Sequence, residues 1–377
     1  MKKLRTCIEN LRARRAAVPC AFLAAAVLLT LAACTSEETP APPPPASAKQ
    51  RAIVLNQGSY YAGIESTADL LDRATGVYSP DVFSKVNGQS LGADAQHAVR
   101  CGDRIYIALY GSNLIWKLDA ATLRIVGSAQ VNQPEALAAE GGYLFVTGND
   151  GRVSRLDTLA LSASGTVDVG PNPAGIVASG GYIYAAVSDG YNAEGAYARG
   201  FKVAKINPRT MTVAREIKVG MNPTEMTAAA DGGIFVACQG DYGRFKPEIW
   251  RIDPDEDRAA VFCRGTKMAA HGDRLYVIYD YTDYYGEMTY ERELAYECYR
   301  TSTGEKLADA FLSADHLPAN PYSIAVDPAN GDIYIGSYRS QWDFTSPGWL
   351  YRYASADGTL IARYATSAPG TCCVVFD

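Results

Sequence analysis

A small polar turn followed by a strand of alternating apolar residues recurs six times along the chain, at 102–107, 141–146, 180–185, 232–236, 272–277 and 331–335. Aligning Ile105, Leu144, Ile183, Ile234, Leu275 and Ile333 gives spacings of 39, 39, 51, 41 and 58 residues, and a seventh strand at Ile53 lies 52 residues before Ile105 without the turn. Periodicity of this size constrains the fold more than any composition figure. Each repeat is one supersecondary unit that buries its apolar face only against its neighbours.

After each copy comes a strand ending in aspartate or a substitute: Leu71-Asp72, Leu118-Asp119, Leu156-Asp157, Ile206-Asn207 and Ile252-Asp253, with Cys298-Tyr299 and Tyr353-Ala354 as degenerate versions. Turn residues and another short strand follow each one. A further apolar strand precedes most copies and is often introduced by proline, as in Gln133-Pro134-Glu135, Asn172-Pro173-Ala174, Asn222-Pro223-Thr224 and Asn320-Pro321-Tyr322. Four short strands in a period of about 40 to 50 residues are the mark of a propeller blade. The first unit begins at Ile53 without its innermost strand, while 368–376 reads as an innermost strand with nothing after it. The prediction is an all-β seven-bladed β-propeller of four-stranded antiparallel blades over residues 51–377, its ring closed by the C-terminal strand. An open β-sandwich, the alternative, does not call for seven aligned units.

Residues 1–33 read as an address. Six basic residues precede an apolar run at 21–31, too short for a spanning helix, and Leu31-Ala32-Ala33-Cys34 resembles a bacterial lipobox in which Cys34 becomes the lipidated first residue. The acidic pair Glu37-Glu38 resembles the surface-export signal of Bacteroides-group lipoproteins, and the proline-rich stretch that follows completes a spacer at 34–50. The expectation is a protein anchored in the outer membrane by lipid, facing the cell exterior and not spanning the bilayer.

Taking the six basic residues and Glu9 of positions 1–33 from the chain's 35 basic and 41 acidic residues leaves 29 against 40. So acidic a domain is a poor partner for nucleic acid or anionic lipid. Cys101, Cys238, Cys263, Cys298, Cys372 and Cys373 remain beyond the lipobox, with no Cys-x-x-Cys spacing for a zinc ribbon or covalent haem. The compartment permits disulfides, and the adjacent Cys372 and Cys373 read as strand residues.

The 25 tyrosines, against 10 phenylalanines and 4 tryptophans, carry the functional signal. In a blade, the loop between the second and third strands opens on the same face as the link to the next blade, and here those loops are variable and aromatic. They hold the expected ligand-binding residues: Tyr60, Tyr61, Tyr110, Tyr191, Tyr242, Phe245, Tyr281, Tyr285, Tyr338, Trp342 and Phe344. Interleaved polar residues such as Asn56, Gln57, Asn113, Asp241 and Arg339 suit a large amphipathic ligand with an amide or hydroxyl periphery.

Catalytic signals are thin. His97, His271 and His316 are too dispersed for a three-histidine metal site, and neither a Walker loop nor a Gly-x-Ser-x-Gly elbow is present. No catalytic residue, metal or cofactor is expected. A paired-carboxylate glycosidase or a lyase stays open, because carboxylate separation is spatial. A docking surface for a glycan or another envelope protein stays open as well.

The phrases Asn172-Pro173-Ala174-Gly175-Ile176, Gly180-Gly181-Tyr182-Ile183-Tyr184 and Lys205-Ile206-Asn207-Pro208, with the opening Val54-Leu55-Asn56-Gln57-Gly58, resemble the YncE-type seven-bladed propeller lipoproteins of the Bacteroides group. Within that group the chain is similar to the BtuG-type proteins in length, lipoprotein start and aromatic loops. That resemblance implies a non-enzymatic role: capture of cobalamin or another corrinoid at the cell surface and delivery to a TonB-dependent outer-membrane transporter, with the corrinoid as cargo and not cofactor.

Overall fold

A computed structural model describes residues 50–190, 198, 200–284, 288 and 290–377. The address at 1–33, Cys34 and the spacer up to residue 49 lie outside the described residues, as do Tyr191 and Tyr285. No helix among the described residues is long and apolar enough to cross a membrane.

The described strands form seven four-stranded antiparallel sheets arranged as the blades of a β-propeller. The innermost strands are Thr371–Phe376, Ala95–Cys101, Pro134–Glu140, Pro173–Ser179, Pro223–Ala228, Lys267–His271 and Pro321–Val326, for blades 1 to 7. Blade 1 takes its inner strand from the C terminus, with Val54 opposite Val374, so the sheet that opens the ring also shuts it.

Each repeated turn leads into the second strand of its blade, where a branched aliphatic residue is followed in six blades by an aromatic one: Tyr106, Phe145, Tyr184, Phe235, Tyr276 and Tyr334. All six are 4% exposed or less and sit between neighbouring sheets. Burying such a ring contributes about 1.5 to 3 kcal/mol. The tyrosine excess is therefore divided: four of these six positions spend it on blade-to-blade packing, not on the loop face.

Polar groups lock the seam. Asp69, fully buried, accepts from Asn56 Nδ2 at 2.9 Å, the Tyr78 hydroxyl at 2.7 Å and the amides of Asp81 at 2.8 Å and Ser367 at 3.0 Å. On the opposite face Arg51 Nε donates to Asp377 at 2.7 Å, and the same guanidinium donates to the carbonyls of Ala120 at 2.5 Å and Ala121 at 2.8 Å in blade 2. Arg73 pairs with Asp327 of blade 7.

The inner strands surround a channel of about 790 Å³ lined from all seven blades. It is tight at blade 4, where a Cβ built on Gly175 falls 2.3 Å from the Thr224 carbonyl oxygen, closer than any side chain tolerates. Cys372 and Cys373 are strand residues with free thiols, their Sγ atoms directed at the carbonyls of Ala95 and Ala98.

Candidate functional site

One device recurs where the chain enters its inner strands. Asp94, Gln133, Asn172 and Asn222 all have left-handed backbone, with φ between 39° and 58°, a region that Asn and Asp visit more readily than other residues. The strands of blades 2, 3, 4, 5 and 7 then open on a bulge, with register shifts at Ala95/His97, Pro134/Leu137, Pro173/Ile176, Pro223/Glu225 and Pro321/Ser323. A bulge interrupts the two-residue alternation and re-aims side chains. Groups freed from the ladder find partners: Thr147 Oγ1 accepts from Ala136 N at 3.0 Å and donates to Ala174 O at 2.6 Å. As a result Gln96, Glu135 and Tyr322 face the channel mouth.

Above that mouth, loops of blades 1, 2 and 7 enclose a cleft of about 1010 Å³. Its wall carries Tyr60, Tyr61, Tyr110, Tyr338 and Phe344, and its polar lining includes Gln57, Asp94, Gln96, Asn113, Gln133 and Glu135. The loop bearing Tyr60 and Tyr61 is pinned at its base by paired backbone bonds, Ser59 N to Ile64 O at 2.9 Å and Ile64 N to Ser59 O at 3.0 Å. Gly58 makes this possible, since its φ is +82° and a Cβ would lie 2.4 Å from the Ile64 oxygen. The two rings meet edge to face at 5.8 Å, with Tyr61 fully exposed.

On the other wall, Asp343 Oδ1 accepts from Thr345 N at 3.2 Å and Ser346 N at 2.9 Å, turning the loop so that a ladder of rings climbs out of the channel. Tyr322 lies 4.9 Å from Tyr338, Tyr338 lies 5.2 Å from Phe344, and Phe344 lies 6.1 Å from Trp342. Tyr284 continues it, 5.9 Å from Trp342. Offset and edge-on ring pairs of this kind add stability beyond the area they bury and hold one another's faces in place.

Amides tie the floor together. Gln57 Nε2 donates to Asp94 Oδ1 at 2.7 Å and Gln96 Nε2 donates to the same oxygen at 2.8 Å. Burial nevertheless holds the Asp94 carboxyl above its usual range, the two amides opposing it. Glu135 sits where cleft meets channel, and burial, helped by the Asp94 charge, pushes it up to about 7. Asn149 Nδ2 donates to the Tyr110 hydroxyl at 2.7 Å, and Asn172 donates to Asn149, forming a belt across blades 2 to 4.

The histidines are structural or remote from this floor. His97 Nδ1 accepts from Leu137 N at 3.3 Å, and burial lowers its pKa to about 4, so it is neutral. His316 contributes its backbone oxygen to the Tyr353 hydroxyl at 2.5 Å. Among the described residues no group of three or more His, Cys, Asp or Glu is placed to hold a metal ion.

Of the eleven ring positions read from the sequence, five line the cleft and Trp342 stands beside it, 64% exposed. Tyr242 lines the channel mouth, and Phe245 is exposed on the same blade 5 loop beneath the Arg244 guanidinium. Tyr281 is different. The second strand of blade 6 runs on through Thr282, so Tyr281 belongs to a long hairpin and not to the loop; it is 5% exposed and its hydroxyl donates to Gly243 O at 3.2 Å. Burial also covers Tyr279. Sequence reasoning passed over Asp94, Gln96, Glu135 and Tyr322. For Glu135, Tyr322 and Gln96 the signal is the position after a strand-opening proline, or the aligned position in blade 2, which a reading of alternation treats as one more strand residue; Asp94 aligns instead with Gln133, Asn172 and Asn222, the residue before that proline.

No protein-family profile matches the chain, and no curated protein matches it. Solved structures do. The chain is similar to hydrazine synthase of Kuenenia stuttgartiensis, at 19% identity over 71% of this chain and 85% of that one, with a TM-score of 0.57. It is also similar to the dihydro-heme d1 dehydrogenase NirN in complex with DHE, at 10% identity over 86% of this chain and 66% of that one, with a TM-score of 0.54. At such identities the likeness is one of fold: the chain is a seven-bladed β-propeller.

Proposed function

We propose that the loop-bearing face captures a bulky amphipathic solute of the corrinoid class and presents it, unchanged, to a TonB-dependent outer-membrane transporter, with Cys34 supplying the lipid anchor. The observation that carries this reading is the cleft of about 1010 Å³ with five rings on its walls and amides on its floor. A flat macrocycle with amide arms is matched by ring faces for its apolar surface and by Gln57, Gln96 and Gln133 for its periphery. The loops are pinned by backbone and Asx bonds to a rigid ring, so little ordering cost opposes association. The corrinoid and the transporter come from the resemblance to BtuG-type proteins.

The test is calorimetry of the purified full chain with cyanocobalamin. Binding is expected, and Phe344→Ala or the pair Tyr60→Ala and Tyr61→Ala weakens it tenfold or more. Absence of heat at protein concentrations that reveal micromolar binding overturns the reading.

A further inference from the structure

We propose that the cleft selects for positive charge: the ligand surface that enters it is an organic cation, seated against Asp94 and Glu135 between the rings of Tyr60, Tyr61, Tyr110, Tyr338 and Phe344. This rests on the reading of the cleft as a binding site and adds the chemical class of what it admits.

The lining supplies the reason. Among the described residues, Asp94 and Glu135 are the charged residues of this wall, and it includes no Lys, Arg or His. Both amide donors to Asp94 reach the same oxygen, Oδ1, and no donor among the described residues reaches Oδ2. Around Glu135 the influences are burial and the like charge of Asp94, with no cation among them. Nearby basic groups are engaged elsewhere. Lys267 pairs with Glu225 in the channel and lies 5.4 Å from the centre of the Tyr322 ring, while Arg339 stacks on Trp349 at 4.9 Å and donates to Pro347 O at 3.1 Å.

Two partly desolvated carboxyls facing one cavity without a counter-charge repel each other and any anion brought in. An incoming cation relieves that repulsion. The negative faces of the surrounding rings add to the attraction, which is how aromatic cages recognise ammonium groups. The same arrangement repels a carboxylate or phosphate group brought against this wall, so discrimination comes as much from repulsion as from attraction. Because burial holds Glu135 up to about 7, a cation beside it also drives out its proton near neutral pH.

The experiment titrates the full chain at pH 7 with phenyltrimethylammonium, benzyl alcohol and benzoate, following NMR shifts of the cleft and heat in two buffers of different ionisation enthalpy. The cation is expected to bind at least tenfold more tightly than the other two, with proton release, and to weaken as salt rises. Glu135→Gln should lower cation affinity several-fold, abolish the proton release and leave benzyl alcohol unaffected. Equal affinity for the three probes in the wild-type chain overturns the inference whether or not the variant folds. Cyanocobalamin binding together with equal probe affinities overturns the charge selectivity alone; cation selectivity without corrinoid binding upholds it and overturns the corrinoid reading.

Discussion

The Tyr322 hydroxyl donates to Oε1 of Gln57 at 2.5 Å, across the seam where the last blade meets the first. Gln57 in turn donates to Asp94, so one amide couples the channel, the ring closure and the cleft floor. Tyr322→Phe keeps the ring beside Lys267 and Tyr338 but leaves the Gln57 oxygen without its donor. A loss of about 1 to 2 kcal/mol in urea unfolding is expected, together with a several-fold fall in ligand affinity by calorimetry. Unchanged affinity would show that the floor does not depend on this bond.

Asp69 gathers donors from both sides of the closing seam while fully buried. Asp69→Ala strands Asn56, Tyr78 and Ser367 and should cost about 3 kcal/mol or more. Chemical denaturation measures this directly. A cost below about 1 kcal/mol would mean that water replaces the carboxylate without loss.

Gly175 marks a close approach between blades 4 and 5. Gly175→Ala places a methyl group against the Thr224 carbonyl oxygen. Overpacking of this kind costs about 1 to 3 kcal/mol, visible as a lower thermal midpoint with an unchanged circular dichroism spectrum. A midpoint equal to wild type would show that the blades can move apart freely.

Two half-buried groups at the channel mouth give opposite slopes of stability with pH. Burial lowers His97 from 6.5 to about 4, so over that window the unfolded chain takes up a proton that the fold refuses, and stability falls as pH falls. Glu135 is raised from 4.5 to about 7, so the fold holds its proton more tightly than the unfolded chain does. Its contribution is full below about 4.5 and is lost as pH rises through 7. Glu135→Gln should therefore stabilise the protein by about 2 kcal/mol at pH 8 and have little effect at pH 4. Urea midpoints across that range decide it; no gain at pH 8 would remove burial as the cause.

The blades were legible because Gly-Gly and Gly-Asp turns followed by alternating apolar residues reflect a backbone requirement that recurs in each repeat. Closure was legible from a missing strand at one end and a spare one at the other. The site was legible only in part. Alternation distinguishes the two faces of a strand, yet bulges at Pro134 and Pro321 break it just where Glu135 and Tyr322 turn toward the mouth. Loop rings carry no period at all, so Tyr281, on a strand of 9 residues where the second strands of the other blades have 5 or 6, could not be told from Tyr338.

Val54 finds its partner in Val374, 320 positions further along the chain. A nascent polypeptide must therefore hold three strands of its first blade with an unpaired edge until nearly all the rest has emerged. Long-range pairing of this sort makes folding slow, and the bare edge is open to other chains in the interval. Assembly of this wheel behaves as a latch that engages last, and its yield should depend more on what shields that edge during synthesis than on the stability of the finished ring.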